Sequence, residues 1–157
     1  MSLRVSDPTL DFALKCVGAV RNAYGTGDDV PRKFRTRCRS LIESIYYSGL
    51  AYTLAYVASK AGDAVLNWAL ANPEPEKIAE HVRDNVRGAE EASYALYGAF
   101  LLASLKQMGV PEVAGARSFL EVLGNINQSA TAAVAEEKAL RFAEWLKRLA
   151  ESVFEAE

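Results

Sequence analysis

Residues 31–61 read PRKFRTRCRSLIESIYYSGLAYTLAYVASKA. At about 100° per residue, Phe34, Cys38, Leu41, Ile42, Ile45, Gly49, Tyr52 and Tyr56 gather on one apolar stripe, the signature of an amphipathic helix. Asp28-Asp29 ahead of Pro31 supplies a helix start, and Lys60 with Gly62 supplies an end, so the segment is expected as one helix of about 30 residues.

The same punctuation recurs on both sides of this stretch. Upstream, Ser6-Asp7-Pro8 joins capping side chains to a proline at a first helical position, and Leu10, Leu14 and Val17 continue at helical spacing to Gly25. Gly25 to Val30 is a polar loop. Downstream, a short helix is expected over Asp63–Ala71, broken by Asn72-Pro73 and Pro75. Glu74, Glu76 and Glu80 suit the positive end of the next helix, which carries Ile78, Val82 and Val86. Further helices are expected over Ala89–Met108, from Pro111 to about Leu123, and from about Gln128 to Phe154. No stretch alternates in the manner of a strand. The fold class is therefore all-α, a bundle of six to seven helices in a single domain over residues 1–157 with a short N-terminal extension at 1–6.

With 157 residues, 50% of them hydrophobic and 24% charged, the chain has enough apolar mass to bury a core unaided. No run approaches the roughly 20 apolar residues of a membrane span, and the first residues lack the pattern of a secretory signal, so a cytoplasmic setting away from membranes is expected. Cys16 and Cys38 then read as reduced thiols.

Charge is unevenly placed. The formal net charge is -2, yet five of the eight residues from Arg32 to Arg39 are basic: Arg32, Lys33, Arg35, Arg37 and Arg39. Residues 1–40 carry eight basic and four acidic side chains, and residues 41–157 carry ten and sixteen. Such a run is unfavourable unless solvent or an anion screens it. Arg35 and Arg39 fall along one edge of the apolar stripe, and Lys33 and Arg37 along the other. Their stems can cover the core margin while their charges reach phosphates, or carboxylates of a neighbouring subunit. In the last helix Lys138, Arg141, Trp145 and Arg148 share a face beside the stripe Phe142, Leu146, Leu149 and Val153. Trp145 there reads as a boundary core residue or as part of an RNA-facing or subunit-facing surface.

Catalytic constellations are wanting. His81 with Asp84 is too small a set for a metal site, and the Glu-x-x-His pattern of di-iron bundles fails because Ile78 stands three residues before His81. Gly25-Thr26-Gly27 has no following Gly-Lys-Ser/Thr and no preceding strand, so it reads as a turn. Glu90-Glu91 and Glu136-Glu137 are explained by helix starts. The chain is expected to be no enzyme and to need no cofactor or metal.

Two blocks carry a family resemblance. Arg35-Thr36-Arg37-Cys38-Arg39-Ser40-Leu41, continuing through Ser48-Gly49-Leu50-Ala51-Tyr52-Thr53-Leu54-Ala55-Tyr56, resembles the basic start and the NGL-x-x-TLAF-like middle of the small helical subunit of type III-B (Cmr) CRISPR effector complexes. Glu137-Lys138-Ala139-Leu140 with Glu144-Trp145-Leu146-Lys147-Arg148-Leu149-Ala150-Glu151 resembles that family's C-terminal EAL-x-x-x-x-WLKRFAE-like helix. Ser48, Tyr56 and Leu149 depart from the pattern, where asparagine, phenylalanine and phenylalanine are usual. The resemblance implies a non-catalytic structural subunit of an antiviral ribonucleoprotein, stacked with further copies of itself and with other subunits along guide RNA and target RNA. It implies backbone contacts without sequence specificity, made by Arg35, Arg37, Arg39, Lys147 and Arg148. Arg32, Lys33 and Arg141 join them from charge geometry alone. A related small subunit of type III-A or type I-A complexes fits the same pattern. The alternative is a helical protein–protein interaction module whose basic patch meets an acidic partner.

Overall fold

The computed structural model describes residues 6–157, so most of the expected N-terminal extension lies outside the described residues. These residues form nine helices and no strand, two or three more helices than expected. Helix α1, Pro8–Tyr24, begins where the sequence placed it: Asp7 is the N-cap, accepting from the Thr9 amide at 3.0 Å, and Pro8 occupies the first turn.

The expected 30-residue helix is two. α2 spans Asp29–Ser48 and α3 spans Leu50–Ala61. Between them Gly49 sits at φ 94°, a conformation an L side chain resists, and its amide closes α2 on the Ile45 carbonyl at 3.0 Å. The break also changes the phase of the stripe. Phe34, Cys38, Leu41 and Ile45 are buried, whereas Tyr52 is turned out to solvent.

α4 (Ala64–Ala71), α5 (Pro75–Asn85) and α6 (Ala89–Gln107) follow as expected to within a residue or two, apart from Val86, which caps α5. The single helix expected from Pro111 is instead the one-turn α7 (Pro111–Ala114) and α8 (Phe119–Gln128), restarted by Ser118, whose hydroxyl caps the Glu121 amide at 3.2 Å. Gly124-Asn125, read as a break, lies inside α8. The chain closes with α9, Ala132–Val153.

α6 is the axis. Every residue from Ala92 to Leu105 is buried, and α2, α3, α4, α5 and α9 all pack against it. A helix apolar on all sides is stable in water only inside such a ring. Gly98 is what permits the closest approach: a Cβ there would lie 2.6 Å from Val57 Cγ1 and 2.8 Å from Leu66 Cδ2. Edge-to-face aromatics tie the layers, with Phe34 against Phe100 at 5.8 Å and Phe12 against Phe142 at 5.9 Å. α9 is held between α1 and α2, which brings the two sequence blocks side by side. Among the described residues no helix is long and apolar enough to cross a membrane.

Candidate nucleic-acid interface

The buried stripe of α2 faces α6 and α9, so the basic residues that alternate with it emerge along both margins of the helix. The structure sends them to different places. Arg39 Nε lies 3.2 Å from Glu151 Oε2 on α9, and Arg148 Nη1 lies 3.6 Å from the other oxygen of the same carboxylate. Glu151 thus bridges the first basic block to the last. Arg148 also pairs with Glu144 at 3.1 Å. The arginine side chains keep 57% and 63% of their exposure, so these are solvent-screened pairs worth about 0–1 kcal/mol each, and their partners are exchangeable.

At the start of α2, the cations meet the segment that follows α9. Lys33 Nζ is 3.3 Å from Glu157 Oε2, Thr36 donates to Glu157 Oε1 at 2.6 Å, and Arg32 Nε donates to the Ala156 carbonyl at 3.2 Å. The Thr36 hydroxyl, followed by the Lys33 ammonium, holds the Glu157 carboxyl below its ordinary range. Arg35 is half-buried, and its Nε has no hydrogen-bond partner among the described residues.

Arg37 turns inward. Its guanidinium lies 4.2 Å from the centroid of the Tyr94 ring, its Nε donates to Ser93 Oγ at 3.2 Å, and Glu90 stands 3.6 Å away. With 15% of the side chain exposed, it clamps α2 to the start of α6. Arg141 lies apart from the α2 cluster, bonded at 3.3 Å to Asp7 at the head of α1. Trp145 Nε1 donates to the same carboxylate oxygen at 3.2 Å and is half-buried, a boundary residue. The Thr9 hydroxyl is the main cause that holds the Asp7 carboxyl far below its usual range, with Arg141 and Trp145 adding to it. Lys147 is half-buried with no ion pair among the described residues.

His81 stacks flat on Trp68, centroids 4.0 Å apart and planes 10° from parallel, and among the described residues no group of three or more His, Cys, Asp or Glu is placed to hold a metal. Cys16 and Cys38 are free thiols, fully buried, and burial raises both well above the usual thiol range. Glu136, read as part of a helix start, instead accepts the Leu50 amide at 2.9 Å and caps α3 across the break at Gly49.

Sequence reasoning missed Thr36, Glu151 and Glu157 as members of the basic surface. The signal for the two glutamates was present as the acidic residues Glu151, Glu155 and Glu157, the complement of residues 32–39 more than a hundred positions earlier. It also missed the far end of α2, where Tyr46 and Tyr47 stand 69% and 80% exposed, edge to face at 4.9 Å. They border a groove of about 370 Å³ with Ile42 and Leu140.

In sequence and fold the chain is similar to subunits of CRISPR effector complexes. The Cmr5 subunit of the CMR CRISPR system of Saccharolobus solfataricus is 32% identical over 105 residues, a match that takes in 64% of this chain and spans 63% of that relative's length. A chain of a solved type III-B Cmr-beta complex bound to non-cognate target RNA superposes with a TM-score of 0.72 and 25% identity, over 98% of this chain and 100% of its own. A second, from a Cmr-beta complex bound to cognate target RNA and AMPPnP, shares the fold at a TM-score of 0.68 with 24% identity, over 95% and 97% of the two chains. The family model described as CRISPR-associated protein (Cas_Cmr5) matches residues 7–153, from the cap of α1 to the last residue of α9, and so the chain belongs to the Cas_Cmr5 family.

Proposed function

We propose that the chain acts as a non-catalytic structural subunit of a type III-B effector ribonucleoprotein in antiviral defence, lying along guide RNA and target RNA and touching their backbones without reading sequence. The observation that carries this is the meeting of the two basic blocks at Glu151, where Arg39 of α2 and Arg148 of α9 share one carboxylate, with Arg32 and Lys33 beside the segment that follows α9. Arginine and lysine on rigid helices suit phosphates, whose spacing is set by duplex geometry, while base pairing supplies specificity. The solved relatives come from complexes bound to target RNA, which supports the same use. Lys147 borders this surface. Arg37 supports it from beneath, and Arg141 serves the α1–α9 contact.

Assembly uses the rest of the molecule. Exposed Tyr46 and Tyr47 suit contacts with other subunits or further copies of this chain, because exposed aromatics at a groove are typical interface anchors. The chain works as one helical unit, without cofactor or membrane.

The test is the triple variant Arg35→Ala/Arg39→Ala/Arg148→Ala, which leaves the Arg37 clamp intact. It is expected to weaken association with target RNA or incorporation into the complex while the helical circular dichroism stays unchanged. Unaltered RNA association together with unaltered assembly refutes the proposal. If the free chain binds single-stranded RNA, the log–log salt slope should be roughly -0.7 per phosphate contact. A second reading, an acidic protein partner on the same patch, is favoured by the fact that carboxylates already occupy it, Glu151 and Glu157 above all. Cross-linking in cells separates the two: RNA adducts on α2 support the first reading, and protein adducts alone support the second.

A further inference from the structure

We propose that Arg32, Lys33 and Thr36 form a discrete subsite for one RNA backbone phosphate, and that the Glu157 carboxylate occupies this subsite as an internal stand-in which RNA displaces. The inference rests on the RNA-backbone reading above and says where on that surface one phosphate seats and what competes for it.

The three residues present an ammonium, a hydroxyl and a guanidinium to one line of oxygen acceptors. Glu157 Oε1 takes the Thr36 hydroxyl at 2.6 Å, Glu157 Oε2 faces Lys33 Nζ at 3.3 Å, and the Ala156 carbonyl takes Arg32 Nε at 3.2 Å. A phosphodiester offers two non-bridging oxygens that carry a single negative charge, and lysine, arginine and threonine donors are the groups that hold such oxygens. A carboxylate is the nearest equivalent a protein chain can supply. Thr36 is the informative member, because a helix surface that only repelled its own charge would not place a hydroxyl donor between two cations.

The occupying segment is seated independently of these charges. Phe154 is buried against Phe34, ring centroids 6.0 Å apart, and the Glu155 amide donates to the Thr26 carbonyl at 3.0 Å. Gly27 lacks the side chain that would collide with the Glu155 carboxylate. Glu157 is thereby delivered to α2 while its own contacts stay exposed and weak enough to exchange, with 31% of Lys33 and 41% of Glu157 open to solvent. A polyanion with several contacts can displace it and leave Phe154 in place.

The experiment is fluorescence anisotropy of a labelled single-stranded RNA of mixed sequence, titrated with the full chain at low salt. Glu157→Gln is expected to tighten binding about two- to fivefold, the range of one exposed ion pair. It should also steepen the log–log salt slope by up to about 0.7, because in the parent the displaced Glu157 carboxylate takes up a cation as RNA binds and the glutamine does not. Glu76→Gln makes the same change of charge on α5 and should leave binding within error, because a remote exposed charge is screened. Thr36→Val in the Glu157→Gln background should remove the gain. If Glu157→Gln binds no more tightly than Glu76→Gln, or if Thr36→Val leaves its gain intact, the subsite is refuted. The RNA reading survives that result so long as Arg35→Ala/Arg39→Ala weakens binding. Absence of RNA binding by every variant, Glu157→Gln included, overturns both.

Discussion

Replacing Arg37 by alanine should damage the fold rather than the proposed RNA-facing surface, although Arg37 stands in the middle of the basic run. The guanidinium lies 4.2 Å from the Tyr94 centroid and is largely removed from water, which places the cation–π contact at about 1–2 kcal/mol. Its Nε hydrogen bond to buried Ser93, from a charged donor, contributes about 1.5 kcal/mol. Ser93 keeps its own bond to the Glu90 carbonyl at 2.6 Å, so the loss leaves no orphaned hydroxyl. The pair with Glu90, 66% exposed, adds little. Against these terms stands about 1–2 kcal/mol of side-chain entropy regained when the arginine is removed. The net destabilisation is about 0.5–2.5 kcal/mol, or a fall of roughly 1–10 °C in melting temperature for a chain of this size. Arg39→Ala, on an exposed pair, should stay within about 0.5 kcal/mol of the parent. Urea unfolding followed by circular dichroism measures both. The reasoning fails if Arg37→Ala is as stable as Arg39→Ala, or if it keeps full stability while RNA association collapses.

Three further outcomes follow from the same geometry. Gly98→Ala should be less stable than Gly18→Ala and Gly124→Ala by about 1–3 kcal/mol in urea unfolding, because all three gain similar helix propensity but only the first meets Val57 and Leu66. Asp7→Asn keeps the cap and loses the charge. Because the folded Asp7 carboxyl titrates below its unfolded value, its contribution is complete above the ordinary carboxyl range and is lost as pH falls through the folded value; acid titration of stability from pH 5 to pH 2 should therefore show the parent losing its advantage over the variant. Cys16 and Cys38 should resist a thiol reagent in native buffer and react at the rate of unfolding, which reaction before and after urea addition will show.

What the sequence displays well is what is local. The caps at Asp7-Pro8 and Pro75 and the stop at Gly25 act within one turn of the chain, and α1, α4, α5, α6 and α9 begin and end within a few residues of where those signals put them. Gly49 defeated the same logic because a glycine on an apolar stripe does not announce its positive φ, and the carboxylate that caps the Leu50 amide beyond the break, Glu136, comes from 86 positions away. One misplaced break then carried Tyr52 from the core to the surface, since a turn of backbone between two helices resets the phase of everything after it. The site divides along the same line. A run of arginines is visible in one dimension, but whether each cation is free, paired or inward depends on carboxylates and rings that arrive from α6, α9 and the segment beyond it. Arg37 and Arg39 are two residues apart and chemically identical, yet one faces Tyr94 and the other Glu151. A helix turns about 200° between them, so a cluster of like charge cannot act as one unit. Arg37 holds the helix in place while Arg39 stays exposed on an exchangeable pair, so substituting Arg35, Arg37 and Arg39 together would confound a loss of stability with a loss of binding.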